Sequence, residues 1–133
     1  MLIPLRTMLV YSLIGLAWGI LGFTWGDPLG HYAQKGDAFF EAGQYDNALE
    51  AYTDADVQST PDDPRLPQLY LNMGNTLSKL EKPDQAVAMY HKTLEAADDA
   101  AFKADVHYNS GNAWLQQHQY QQAIDAYTRA LEL

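Results

Sequence analysis

The chain contains no cysteine among its 133 residues. That absence removes disulfides, thiol nucleophiles, thiolate metal sites and an acylated lipoprotein N-terminus. Positive charge is scarce as well: eight Lys and Arg stand against seventeen Asp and Glu, for a net charge of −9 and a pI near 4.6. Such a balance repels phosphate backbones and anionic membrane surfaces, so nucleic acid is not an expected partner. The four histidines, His31, His91, His107 and His118, lack ligand spacing such as His-Glu-x-x-His. His107 is expected near a helix start and His118 at a helix turn. No alternating strand pattern is present, and therefore no glycine-rich loop follows a strand. Asp54, Asp56, Asp62, Asp63, Asp98 and Asp99 fall mostly in expected loops, where solvation accounts for them; a basic partner or a weak divalent-ion contact are the other readings. The inventory points to no catalyst, metal or cofactor.

What the chain does have is a pattern repeated three times: glycine, then alanine twelve residues on, then tyrosine four after that. The sets are Gly36, Ala48 and Tyr52; Gly74, Ala86 and Tyr90; and Gly111, Ala123 and Tyr127, with the glycines 38 and 37 residues apart. A period of this size signals stacked supersecondary units. Within the second unit, Tyr70, Met73, Leu77 and Leu80 recur at helical steps, and Ala86, Met89, Tyr90 and Leu94 form a second such stripe. Glycine inside a helix costs about 1 kcal/mol relative to alanine. The cost is understandable if another helix crosses at Gly74, with Ala86 opposite it and Tyr90 filling the space towards the next unit.

The breaks between helices are legible too. Gly43 has the position of a C-terminal cap, and Lys82-Pro83 separates two helices with proline suited to a first helical position. Ser59-Thr60-Pro61-Asp62-Asp63-Pro64 is turn-forming, with Asp63 expected to cap the following helix; Asp98-Asp99 can do the same before the third unit.

The pattern resembles the tetratricopeptide repeat family over about residues 28 to 133. Further matches are the aromatics Tyr45 and Tyr120 and the second small residues Ala55 and Ala130; Pro83, Thr93 and His107 depart from it. The resemblance implies a right-handed superhelix of three helix-turn-helix repeats, at about residues 29–62, 67–100 and 104–133; with an N-terminal transmembrane helix, drawn from the uncharged run that precedes the repeats, the expected fold is all-α. The spacings exceed the usual length of about 34, and the surplus is assigned to the inter-repeat loops. The resemblance also implies a concave surface that binds another protein, as a peptide or a helix. Gln34, Asp37, Asn72, Asn75, Tyr108, Asn109 and Asn112 are the expected groove residues, because amides can both donate to and accept from an extended backbone. The alternative is that the amides bond neighbouring loops or water. Repeat domains that clamp acidic C-termini use Lys and Arg around an asparagine. Here the matching positions are Ala33, Asp37, Asn72, Asp105 and Asn109, so the cations are absent and an acidic terminus is not expected.

From Thr7 to Trp25 there are nineteen residues without a charge. As a helix this run is about 28 Å long, close to a bilayer's hydrocarbon thickness. Residues 1–26 are therefore read as a transmembrane anchor or uncleaved signal, and 27–133 as the repeat domain. With Arg6 before the run and an acidic chain after it, the repeats are expected in the periplasm, on a single-pass bacterial inner-membrane protein. A cleaved signal ending Thr24-Trp25-Gly26, with secretion to the periplasm, and a buried soluble helix are the rivals. Gly15 and Gly19, and Gly22 and Gly26, are spaced four apart, which permits close packing of membrane helices or reflects only the frequency of glycine there.

The apolar stripe Ala123, Ile124, Tyr127, Ala130 and Leu131 continues almost to Leu133. A repeat stack needs its last apolar face covered, so either more chain or a cap from another chain is expected there. Two functional expectations follow: a membrane-tethered interaction module acting as scaffold or assembly factor, or a permanent structural subunit of a membrane complex. The leader and the Tyr-x-x-Gly-Asn helices also resemble the exported repeat proteins of aerotolerance (Bat-type) operons.

Overall fold

The computed structural model describes residues 26–133. The expected membrane helix over residues 7–25, with Gly15, Gly19 and Gly22, lies outside the described residues, and Gly26 is an exposed bend residue. Among the described residues no helix is long and apolar enough to cross a membrane. Six helices follow: α1 (Pro28–Glu41), α2 (Tyr45–Val57), α3 (Leu66–Lys79), α4 (Pro83–Ala96), α5 (Ala100–Gln116) and α6 (Tyr120–Glu132). They pack as hairpins α1–α2, α3–α4 and α5–α6, and each hairpin lies against the next through α2–α3 and α4–α5.

The repeated glycine is where each hairpin closes. A Cβ at Gly36 would stand 2.4 Å from the Tyr52 ring, at Gly74 2.5 Å from Tyr90, and at Gly111 2.5 Å from Tyr127. The tyrosine therefore seats its ring on the glycine of its own repeat. As expected, Tyr90 also packs towards the next repeat, in one cluster with Val106 and Ala113; the residue nearest Gly74 is Tyr90, not Ala86. Ala48 and Ala86 are fully buried, which lets the second helix of their hairpins approach closely.

Two apolar clusters fill the seams between hairpins. One gathers Leu29, Ala48, Tyr52, Ala55, Leu66, Leu69, Tyr70 and Met73; the other gathers Leu71, Leu77, Ala86, Val87, Tyr90, Val106 and Ala113. Leu49 of α2 and Met89 of α4 pack against both, so the two clusters are joined through these helices.

Local signals set the helix ends. Pro83 opens α4, and the Asp99 carboxylate accepts from Phe102 N at 2.7 Å to cap α5. Asp27 caps α1 by accepting from Gly30 N at 3.0 Å. All three hairpin turns pass through a left-handed residue: Gly43 (φ 72°), Glu81 (φ 58°) and His118 (φ 59°). Only the first has the residue that adopts this conformation without strain. Two expectations are corrected. Asp63 is not the cap of α3, whose N-cap is Arg65; its carboxylate is taken up by Arg65 instead. The surplus length of the third repeat lies not in a loop but in α5, which runs 17 residues against 14 in α1 and α3. That extension also puts His107 at mid-helix instead of near a start.

Arg65 ties the first two hairpins at their outer edge. Its Nε and Nη2 donate to the two Asp63 oxygens at 2.9 and 2.8 Å, and Nη1 donates to Asp27 at 2.7 Å. The guanidinium beside them holds Asp63 down at about 2 and Asp27 below its ordinary value.

Alanine at Gly74 is expected to lower stability by about 2 kcal/mol, because Tyr90 is buried and cannot yield. Alanine at Gly111 should cost less, since Tyr127 is only half-buried and can swing outward. Urea unfolding followed by circular dichroism checks the order. The Asp63 contribution is complete above its ordinary value near 3.8 and is lost as pH falls through about 2. Arg65→Gln should therefore be less stable than the parent at neutral pH, and the gap should close on acidification through that window.

Candidate functional site

The residue following each repeat glycine is an acceptor: Asp37, Asn75 or Asn112. Its side-chain oxygen takes the tyrosine hydroxyl of the same hairpin. Tyr52 donates to Asp37 Oδ1 at 2.7 Å, Tyr90 to Asn75 Oδ1 at 3.0 Å, and Tyr127 to Asn112 Oδ1 at 2.7 Å. The same oxygen then takes an amide from the next hairpin, with Asn72 Nδ2 at 3.1 Å from Asp37 Oδ1 and Asn109 Nδ2 at 3.2 Å from Asn75 Oδ1. Asn112 Oδ1 has only its tyrosine among the described residues. Asn72 and Asn109 each stand two residues before a glycine, a register that Gln34 occupies in the first repeat.

The phenols are dependable donors. Burial, reinforced by the Asp37 carboxylate, pushes Tyr52 far above its ordinary value. Burial also raises Tyr90, and burial with the neighbouring Tyr108 raises Tyr127. All three therefore stay protonated across the physiological range.

Beside this chain of hydrogen bonds run two open cavities. The first, about 180 Å³, is lined by Asp37, Phe40, Glu41, Tyr52, Asn72 and Asn75. The second, about 350 Å³, is lined by Phe40, Asn75, Ser78, Lys79, Tyr90, Asn109, Asn112 and Gln116. Phe40 and Asn75 border both, so the two make one trough along α1, α3 and α5. Five expected groove residues lie on it: Asp37, Asn72, Asn75, Asn109 and Asn112. Gln34 and Tyr108 border neither cavity, and the Tyr108 ring packs 5.7 Å from that of Tyr127. Asn72, Asn75 and Asn109 are engaged in holding hairpins together, which is the neighbour-bonding alternative weighed for these amides.

Sequence reasoning missed Phe40, Glu41, Ser78, Lys79 and Gln116. A signal for three of them was present. Glu41, Lys79 and Gln116 each follow the acceptor residue by four positions, one helical turn along the same face.

Paired helices at this period, closed by tyrosine on glycine and aligned along a polar trough, define a helical-repeat protein. A tetratricopeptide repeat family model matches residues 65–133, and a second model of the same repeat matches residues 32–56. The first spans just over half of the chain, which belongs to the tetratricopeptide repeat family. No curated protein matches it in sequence. Among solved structures, the N-terminal domain of stress-induced protein-1 (STI-1) from C. elegans superposes with a TM-score of 0.71 at 21% identity, over 80% of this chain and 84% of that one. The first TPR of Spaghetti (RPAP3), bound to the HSP90 peptide SRMEEVD, gives 0.65 at 24% identity, over 79% and 78%. The MamA crystal structure gives 0.70 at 15% identity, over 99% and 75%. At these identities the likeness is one of fold.

Asn75→Ala removes the acceptor of two donors and should cost about 1–2 kcal/mol, against under about 1 kcal/mol for Asn112→Ala, whose oxygen has one. Asn75→Asp reproduces the residue found in the first repeat and should stay near the parent. Urea midpoints of the three variants check the order.

Proposed function

We propose that this chain is a protein–protein interaction module that holds an extended segment of another polypeptide in the trough along α1, α3 and α5. The observation that carries this reading is the trough itself: an open surface with Phe40 at its middle and polar side chains recurring at one-turn intervals on each wall helix. Spaced acceptors and donors of this kind match the repeating amides of an extended backbone. The bound HSP90 peptide in the RPAP3 structure lends support from the shared fold. Charge separates the two cases. That peptide is rich in acidic residues, whereas the first cavity here carries Asp37 and Glu41 with no cation among its lining residues. A neutral or basic segment is the complementary guest.

The same reading includes a membrane tether. The uncharged run over residues 7–25 supports an anchor, and Arg6 before it supports a periplasmic repeat domain serving as scaffold or assembly factor. The narrower resemblance to Bat-type aerotolerance proteins has no support from the matched families or the structures named above. A permanent-subunit role draws on a different observation. Ile124 and Leu131 of α6 are 56% and 89% exposed, although Val87, in the register of Ile124, is buried in the second seam. A cap from another chain would cover them.

A photoreactive residue at Gln116, inside the trough, is expected to crosslink a discrete partner from membranes, while one at Gln121 on α6 is not. Glu41→Lys should diminish the adduct if the guest is basic. Equal labelling at both positions would overturn the groove reading.

A further inference from the structure

The two seams between hairpins can be compared position by position. In the first, Lys92 of α4 lies 3.8 Å from the centre of the Tyr70 ring and 3.5 Å from Asp56 Oδ2 on α2. Lys92 follows its repeat glycine by eighteen residues, Tyr70 precedes it by four, and Asp56 follows the glycine of the preceding repeat by twenty. In the second seam the same registers hold Arg129, His107 and Leu94. The cation is kept. The carboxylate has become an aliphatic side chain, and the phenol has become a smaller ring.

The consequence is a cavity of about 250 Å³ lined by His91, Leu94, His107, Ser110, Trp114, Gln122, Asp125, Ala126 and Arg129. It shares no lining residue with the trough. Arg129 forms no ion pair among the described residues. The one carboxylate on the rim, Asp125, accepts from Gln121 Nε2 at 2.9 Å along its own helix. Burial first, then the charges of Arg129, His91 and Lys103, hold the His107 imidazole below its ordinary range.

We infer that this cavity is a binding site for a carboxylate, either a small free acid or an acidic side chain of a peptide, which takes up at Arg129 the role that Asp56 plays at Lys92. The guanidinium offers paired donors to the carboxylate, and His91 and His107 border the same space. Trp114 and Leu94 supply apolar walls that suit the stem of the ligand. Binding strengthens as His107 gains a proton and weakens if Asp125 turns inward.

The test uses the full chain, nitrogen-15 labelled in a nonionic detergent and low-chloride buffer, titrated with sodium acetate or with a blocked Gly-Glu-Gly tripeptide. The Arg129 Nε–H and Trp114 indole N–H resonances should shift and saturate with either probe. Tighter binding of the tripeptide identifies a peptide side chain as the source, and equal binding a free acid. Arg129→Gln should weaken binding by about tenfold or more, and Arg129→Lys should retain part of it. Leu94→Asp, which restores a carboxylate to the seam, should block both probes. Shifts that grow linearly without saturation, or that persist unchanged in Arg129→Gln or Leu94→Asp, would overturn the inference.

Discussion

The architecture depends on one contact made three times: a tyrosine ring seated where a helix has no side chain. Any Cβ at Gly36, Gly74 or Gly111 would clash with the ring of Tyr52, Tyr90 or Tyr127. The contact fixes the crossing of the two helices, and it also aims the phenol. With the ring on the glycine, the hydroxyl reaches the side chain of the very next residue, Asp37, Asn75 or Asn112. Packing and polarity are therefore set by a single side chain in each hairpin. An apolar body is buried against a bare backbone while its polar tip finds a partner at the surface.

From that geometry the stack propagates. The acceptor that receives the tyrosine also receives an amide from the following hairpin, so closure within one unit prepares the docking of the next. The seams use other devices as well. Arg65, held by Asp63, joins the first two hairpins through Asp27, and Lys92, seated over the Tyr70 ring of its own hairpin, joins them through Asp56. The second seam has neither arrangement and relies more on Leu71, Val87, Val106 and Ala113. Like repeats are thus held by unlike contacts, and the difference leaves room beside Arg129.

Much of the fold could be read from the chain because its signals are local and recur. The glycine, alanine and tyrosine register, Pro83 at the start of α4, Gly43 after α1 and Asp99 before α5 all act within a few residues of where they stand. What escaped was decided across the hairpin or across the stack. Whether alanine or tyrosine meets Gly74 depends on how α4 is rotated about its axis. Asp63 has the spacing of a cap and does accept from Arg65 N, but its oxygens are shared with the Arg65 guanidinium and the helix begins only at Leu66. The trough was half legible: Asp37, Asn72, Asn75, Asn109 and Asn112 were found, Phe40 and Ser78 were not. Their neighbours in space lie on other helices, so helical periodicity alone could not place them on a shared wall.

The amides that border the trough are also the fasteners between hairpins. Asn109 holds Asn75 across one seam, and Asn72 holds Asp37 across the other. A guest that recruited either amide for its own backbone would release that fastener, leaving apolar burial, with the Arg65–Asp27 and Lys92–Asp56 pairs in the first seam, to keep adjacent units in register. Occupancy and the pitch of the stack are then linked: a hairpin angle that binds the guest more tightly is favoured, once the guest is bound, by the same factor as the gain in affinity.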